Sequence, residues 1–236
     1  MKKIIALLLL VCTIVSVVSC GNKQDENLAR FDDMFASSAP TRAETVVVQT
    51  FNNSPKLTSV FTLTTGTVDG KTASILVRKV ETLNKVDASD TNYIKTDIST
   101  NWYYEGMGTS TDKGATWNPD GKNFAPKSGT LSMNLKDEYM ERIEYSSDSS
   151  SETIVLRVSA ENSAKVLANF IESEEDFHYE TLITVVAAGE RVSSVTIKYI
   201  IDEHMIGDDE NAIEVSDTEV TITVNYSYDI QAITFE

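Results

Sequence analysis

The chain has 236 residues, with 20 basic and 36 acidic side chains and a formal net charge of −16. A polyanion gains nothing from contacts with phosphates, so the charge argues against nucleic acid as a partner. It argues equally against electrostatic binding to an anionic bilayer. The only cysteines are Cys12 and Cys20, so a network of disulfides cannot stabilise the fold. A chain of this length can be stabilised by burying a hydrophobic core.

The amino terminus has the layout of an export signal. Lys2 and Lys3 precede an almost wholly aliphatic run from Ile4 to Val18, which corresponds to the charged and apolar regions of a signal peptide. The run has about 15 residues, whereas spanning a bilayer takes about 20. The pattern therefore predicts a signal peptide rather than a permanent transmembrane helix.

The residues after this run, Val17-Val18-Ser19-Cys20-Gly21, resemble the lipobox of bacterial lipoprotein precursors. The resemblance implies cleavage after a signal peptide of residues 1–19 and a lipid on the thiol of Cys20. It also implies that the mature protein is exported and lipid-anchored to the outer face of a bacterial cell membrane. Cys12 would leave with the signal, so no internal disulfide would be possible. The alternative is a plain cleaved signal with Cys20 as an incidental thiol.

Residues 20–43 are mainly polar and small, with a weakly amphipathic stretch at Leu28, Phe31, Met34 and Phe35. We interpret this segment as a lipidated polar tether that contains one short helix and lifts the domain off the membrane. Residues 44–236 contain no repeat or linker that would divide them, so they are predicted to form a single antiparallel β-rich domain.

Alternation of apolar and polar residues in segments rich in Val, Ile, Thr and Tyr predicts strands. Leu57 to Thr65 alternate in this way, the pattern recurs at Ala73, Ile75, Val77 and Lys79, and the turn Val68-Asp69-Gly70-Lys71 between them predicts a hairpin. The other predicted strands are Tyr93–Ile98, Asn101–Gly106, Gly129–Leu135, Tyr139–Tyr145, Thr153–Ser159, His178–Ala187, Arg191–Ile201 and Glu219–Ser227. One helix is predicted at Glu161–Ile171 and must lie across the sheet.

A local motif stands at Ser110–Trp117, whose sequence STDKGATW fits the pattern S-x-D-x-G-x-T-W. It resembles the Asp box of sialidases and other propellers, which implies a structural turn. In that motif the aspartate, here Asp112, accepts backbone hydrogen bonds, while Gly114 supplies a positive φ and Trp117 packs beneath the turn. A propeller would repeat the motif at blade spacing. A single copy therefore argues against a sialidase.

Residues suited to catalysis or metal binding are few. Apart from His178 and His204 there is no histidine, and no nucleophile elbow, zinc-protease motif or phosphate loop occurs. We expect no enzyme activity and no cofactor. The weak candidates for a Ca²⁺ site are Asp202, Asp208, Asp209 and Glu210. They lack the spacing of an EF-hand loop, so a solvated turn is the preferred interpretation.

Two groups of aromatic residues allow two interpretations. Trp102, Tyr103, Tyr104 and Trp117 form one group, and Tyr179, Tyr199, Tyr226 and Tyr228 follow the late strands. Exposed rings can stack on sugars or lipid chains, but alternate aromatics in strands pack more often in a core or in cross-strand pairs. Core packing is preferred.

The order of elements resembles the LolA-like and LppX-like lipoproteins. The resemblance is carried by the lipobox and tether, Asn101-Trp102-Tyr103-Tyr104, the helix, the long hairpin from Tyr179 to Tyr199, and the last strand up to Tyr228. It implies a mainly β (α+β) fold, in which a curved antiparallel sheet forms an open half-barrel with one or two helices packed on it. It also implies a lipid or other hydrophobic ligand on the concave face. We expect a monomer. The alternative is a structural or adhesive surface module that binds protein or glycan. A hydrolase is less favoured, because the catalytic residues that it would need are not evident in the sequence.

Replacing Cys20 by Ala tests the anchor. Metabolic labelling with palmitate should mark the wild-type protein and fail to mark Cys20→Ala, because the acceptor thiol is gone. An unlipidated species should accumulate. Labelling of the variant at the wild-type level would contradict the prediction.

Overall fold

The structure is a computed structural model that describes residues 26–37, 39–50, 56–85, 92–120, 136–167, 179–201, 204–206, 213–215, 218–229 and 232–235. Helix α1 covers residues 26–37 and helix α2 covers Ala160–Leu167. The strands of these residues are β1 (Arg42–Thr50), β2 (Leu57–Val68), β3 (Lys71–Lys85), β4 (Asn92–Tyr104), β5 (Gly108–Ser110), β6 (Met140–Ser147), β7 (Glu152–Val158), β8 (Thr181–Ala188), β9 (Arg191–Ile201), β10 (His204–Ile206), β11 (Ile213–Val215) and β12 (Thr218–Ser227).

Ten of these strands form one curved, open antiparallel sheet in the order β5-β4-β3-β2-β1-β12-β9-β8-β7-β6. Strands β10 and β11 pair separately, and both contact β3. Pairing of β1 with β12 joins the first and last strands of the chain at the centre of the large sheet. The predicted fold class, a mainly β protein with an open antiparallel sheet and helices packed on it, is confirmed.

Alternation explains why one face of this sheet carries the core. In β8, Thr181, Ile183, Val185 and Ala187 are buried while the intervening residues are half-buried, as expected when successive side chains point to opposite faces. The residues of β7, β9 and β12 on the same face are also buried. We call this side the inner face and the opposite side the outer face.

Both helices pack on the inner face. Val166 of α2 is 1% exposed and belongs to the core cluster. The Ser163 hydroxyl of α2 donates a buried hydrogen bond of 2.8 Å to the Thr181 hydroxyl of β8. This bond fixes α2 against the sheet. The helix was predicted to begin at Glu161 and begins at Ala160; the part of the prediction beyond Leu167 lies outside the described residues.

Helix α1 corrects the interpretation of residues 20–43 as a tether. Its four large apolar residues are between 0% and 5% exposed and join the core cluster: Leu28, Phe31, Met34 and Phe35. An apolar stripe of this kind is stable only when it is buried against another element. Residues 26–37 therefore belong to the domain, and β1 begins at Arg42 rather than after a boundary at residue 44.

The strand predictions differ from the structure at β4 and at four strands that were not predicted, namely β1, β5, β10 and β11. Tyr93–Ile98 and Asn101–Gly106 were predicted as separate strands, but β4 is continuous because it pairs with β3 without a break from Asn92 to Tyr104. The β2–β3 turn has the predicted sequence, with φ of 50° at Asp69 and 75° at Gly70, as a type I′ turn requires. The predicted strand Gly129–Leu135 lies outside the described residues.

Replacing Phe31 by Ala tests whether α1 is part of the core. Phe31 is fully buried, so the substitution should lower the free energy of unfolding by about 3–5 kcal/mol. Urea unfolding should show a lower midpoint with an unchanged slope. Asp33→Ala, on the exposed side of the same helix, should change stability by at most about 0.5 kcal/mol. Equal stability of the two variants would contradict the packing of α1.

Candidate ligand-binding face

The pairing register shows which residues of the first strands lie on the inner face, the face that carries the core. Val224 of β12 is buried in the core. It lies opposite Thr45 of β1, which lies opposite Phe61 of β2. Phe61 in turn lies opposite Arg78 of β3. Since directly paired residues share a face, this row places Phe61 and Arg78 on the same side of the sheet as the core.

Apolar side chains surround this row on β2 and β3. Leu63 pairs with Leu76, and Val80 follows two residues after Arg78 on the same face. We define the inner-face patch as Phe61, Leu63, Leu76 and Val80. Leu63 is buried, but the other three residues are only half-buried. Among the described residues, the core cluster contains members of β1, β6–β9 and β12 but none of β2–β5. The patch is therefore an incompletely covered extension of the core face.

The charged groups on this part of the inner face are not equivalent. On β4, Lys95 and Asp97 form an ion pair with an N–O distance of 3.1 Å. Arg78 is half-buried and makes no hydrogen bond or ion pair within the part of the chain that the structure describes. One cation thus lies unpaired beside the apolar residues.

A buried hydroxyl borders the patch on the side of the core. Tyr226 lies opposite Ala43, which lies opposite Leu63. Its ring is 8% exposed, and its hydroxyl has no partner in the described residues. Burial, and next the neighbouring Tyr228, raise the pKa of Tyr226 well above its usual value. The group therefore stays neutral and is available as a hydrogen-bond donor.

The Ser110–Trp117 motif forms a hydrogen-bonded turn beside β5. Asp112 accepts hydrogen bonds from the Thr116 backbone N–H (2.9 Å), the Thr116 hydroxyl (2.6 Å) and the Ser110 hydroxyl (2.7 Å). These bonds favour the ionised carboxylate and lower the pKa of Asp112 from its usual 3.8 to about 2. Gly114 has a φ of 89°. The turn is held by hydrogen bonds among its own residues.

The aromatic rings near this turn are used in packing. The Trp117 ring lies edge-on to Phe235, with ring centroids 5.4 Å apart, and Tyr104 packs against both rings. A Cβ on Gly114 would lie 2.9 Å from the Trp117 ring. Phe235, near the carboxyl end, completes the cluster and was not predicted from the sequence.

The other predicted site residues lie elsewhere. Cys20, His178 and the four acidic candidates Asp202, Asp208, Asp209 and Glu210 lie outside the described residues. His204 is in β10. Tyr199 and Tyr226 are buried in the core, as preferred from the sequence. Within the residues that the structure describes, no three His, Cys, Asp or Glu side chains come together as a metal site, and neither helix is long and apolar enough to cross a bilayer.

An open depression of about 540 Å³ lies beside α1, away from the inner-face patch. It is lined by Arg30, Asp33, Met34, Ala36, Ser37 and Glu190. Burial and the nearby Asp33 raise the pKa of Asp32 on the same helix. The mixed charges of this depression do not suit an apolar ligand, so the inner-face patch is the better candidate site.

Comparison with known proteins finds likenesses among solved structures. No protein-family model matches the chain, and no curated protein matches it significantly. Among solved structures, it is similar to the LolA superfamily protein NE2245 from Nitrosomonas europaea, with 8% identity, 90% of this chain and 96% of that chain covered, and a TM-score of 0.25. A likeness at this TM-score carries no argument about function, and the fold is established by the strand pairings described above.

The low pKa of Asp112 predicts a pH dependence that Asp112→Asn should remove. A carboxylate with a depressed folded pKa stabilises the fold above its unfolded pKa near 3.8, and this stabilisation is lost as the pH falls through about 2. The wild type should therefore be more stable than Asp112→Asn at pH 6. The difference should shrink between about pH 4 and pH 2.

Urea unfolding of both proteins across this pH range measures that difference. Asp120→Asn removes the same charge from the same loop without touching the bonds of Asp112, and so controls for the change in net charge. A difference between wild type and Asp112→Asn that stays constant down to pH 2 would contradict the assignment.

Proposed function

We propose that the protein is a non-catalytic lipoprotein, anchored by a lipid on Cys20 to the outer face of a bacterial cell membrane, that binds a lipid or other hydrophobic ligand on the concave, inner face of its sheet. The observation that carries the proposal is the inner-face patch. Phe61, Leu76 and Val80 share a face with the core but remain half-exposed. Such a patch is typical of binding sites in soluble proteins.

The chemistry of the patch suits an acyl chain. Burying apolar surface contributes roughly 25 cal/mol per Å², so a chain lying along β2 and β3 would gain affinity from each side chain that it covers. Ligand sites combine an apolar lining with a few polar groups that fix orientation. Here Arg78, together with Ser99 opposite it on β4, supplies polar groups at one side of the patch.

The alternative function, an adhesive module that binds protein or glycan through exposed rings, has less support. An adhesin of that kind needs a filled core and free aromatic rings. The rings of Tyr104, Trp117 and Phe235 pack on one another, and Trp102 and Tyr103 are half-buried. Apolar side chains are also exposed on the outer face of β3 and β4, at Val77, Ile94 and Ile98. The inner-face patch differs from them because it continues the face that carries the core, and this favours ligand binding there.

The position of α1 limits the distance from the proposed anchor. Only six residue steps separate Cys20 from Glu26, the first described residue of α1, and an extended chain covers at most about 3.5 Å per residue. The domain would therefore lie within about 20 Å of the lipidated residue. This reach is compatible with a ligand taken from, or delivered to, the membrane itself.

Replacing Phe61 by Asn tests the binding face. The mature chain with Cys20→Ser lacks the acyl group but keeps every described residue, and it should bind a fluorescent long-chain fatty acid. Phe61→Asn should weaken this binding roughly tenfold, because an apolar contact worth about 1.5 kcal/mol is lost. Thr62→Asn is the matched control, since Thr62 is adjacent but points to the outer face, and it should bind like the unmodified chain.

Two outcomes would overturn the ligand-binding proposal. One is that the protein neither binds the fluorescent fatty acid nor yields lipid by mass spectrometry of organic extracts. The other is that Phe61→Asn and Thr62→Asn have equal effects on binding while urea unfolding shows both variants to be folded.

A further inference from the structure

Arg78 is unusual among the cations of the sheet. Three other cations on paired strands have carboxylate partners: Arg42 lies 3.2 Å from Glu44, Lys79 lies 3.4 Å from Glu81, and Arg157 lies 2.8 Å from Glu180. These three pairs lie on the outer face or at its rim, where water screens them. Arg78 points to the inner face and makes no such pair with any described residue.

The surroundings of Arg78 make its isolation costly. Phe61 lies directly opposite, and Leu76 and Val80 flank it on the same face of β3. The guanidinium cannot lose its proton at any ordinary pH, and half-burial among apolar groups removes part of its hydration. Its side chain therefore carries a fixed charge with few compensating contacts.

A carboxylate is close enough in the sheet to pair with Arg78 but is otherwise engaged. Asp97 lies opposite Val80, on the diagonal from Arg78, but forms its ion pair with Lys95. Ser99, directly opposite Arg78, is neutral and exposed. The arrangement leaves one positive charge, with the five N–H donors of a guanidinium, at the edge of an apolar surface.

We propose that Arg78 binds the carboxylate of a long-chain fatty acid whose hydrocarbon chain covers the inner-face patch. This inference rests on the proposed function and adds the class of ligand to it. Among the described residues on the inner face of β2–β4, Arg78 is the one cation without an ion pair, which matches an amphiphile with one negative charge. The planar guanidinium fork matches a carboxylate in a bidentate arrangement. Phe61 and Leu63 would contact the chain on the β2 side, and Ser99 would lie beside the headgroup.

The test compares three ligands of equal chain length on the mature Cys20→Ser chain: oleate, methyl oleate and oleyl phosphate. Oleate should bind about tenfold to a hundredfold more tightly than methyl oleate, since a hydrogen bond to a charged group contributes about 1.5–3 kcal/mol. Arg78→Gln should abolish this preference and leave the affinity for methyl oleate unchanged. Arg78→Lys should retain part of the preference, because the charge remains.

Arg42→Gln is the matched control, because it makes the same chemical change on the outer face of the sheet, and it should behave like the unmodified chain. Retention of the oleate preference in Arg78→Gln would overturn the role of Arg78. If Arg78→Gln lost affinity for oleyl phosphate alone and bound oleate as before, the ligand headgroup would be a phosphate and the assignment of a carboxylate would be overturned. Tight but equal binding of oleate and methyl oleate would overturn this inference and leave the proposed function standing, whereas binding of none of the three ligands would overturn both.

Discussion

Burial of the inner face beneath α1 and α2 is the interaction on which the rest of the structure depends. Phe31 of α1 and Val166 of α2 are almost wholly inaccessible to solvent and share one cluster with Ile183 and Ile197 of the sheet. Helix α1 precedes β1 in the sequence and helix α2 lies between β7 and β8, so their packing brings distant parts of the chain together. Once this face is buried, the alternation of each strand decides which of its residues point inward.

The inner face changes along the sheet from a packed core to a partly exposed surface. The row Val224, Thr45, Phe61 and Arg78 begins in the packed core and ends at a half-exposed cation within three strand spacings. A strand spacing is about 4.8 Å, so the whole change takes place over roughly 15 Å. The inner-face patch is apolar next to the core and carries the charge of Arg78 on the side away from the core. An amphiphile has the same division into an apolar part and a charged group. That match, rather than any catalytic motif, is what favours ligand binding over chemistry.

Local patterns predicted most of the long strands but not which strands pair with one another. Alternation placed β9 and β12 to within one residue, and the end of β8 as closely, because each of these strands has one buried face. Alternation alone did not predict that Arg78 lies on the inner face. Ala73, Ile75, Val77 and Lys79 looked like the significant face of β3, yet the two-residue turn pairs Leu63 with Leu76 and so sends those four residues outward. The part played by Phe31 was missed for a similar reason, since its spacing indicates a helix but not the sheet that buries it.

The charge of the protein bears on where such a ligand would be captured. The formal charge is −16 for the full chain and −18 without Lys2 and Lys3, so the field of the whole molecule repels a free anionic amphiphile. Salt screens that field beyond about 8 Å, whereas a contact with a half-buried guanidinium is screened much less. Arg78 therefore attracts a carboxylate at close range only. With the proposed anchor at Cys20, six residues before the first described residue of α1, the inner face would be held near the bilayer. Fatty acyl chains are concentrated there, so long-range steering would not be needed.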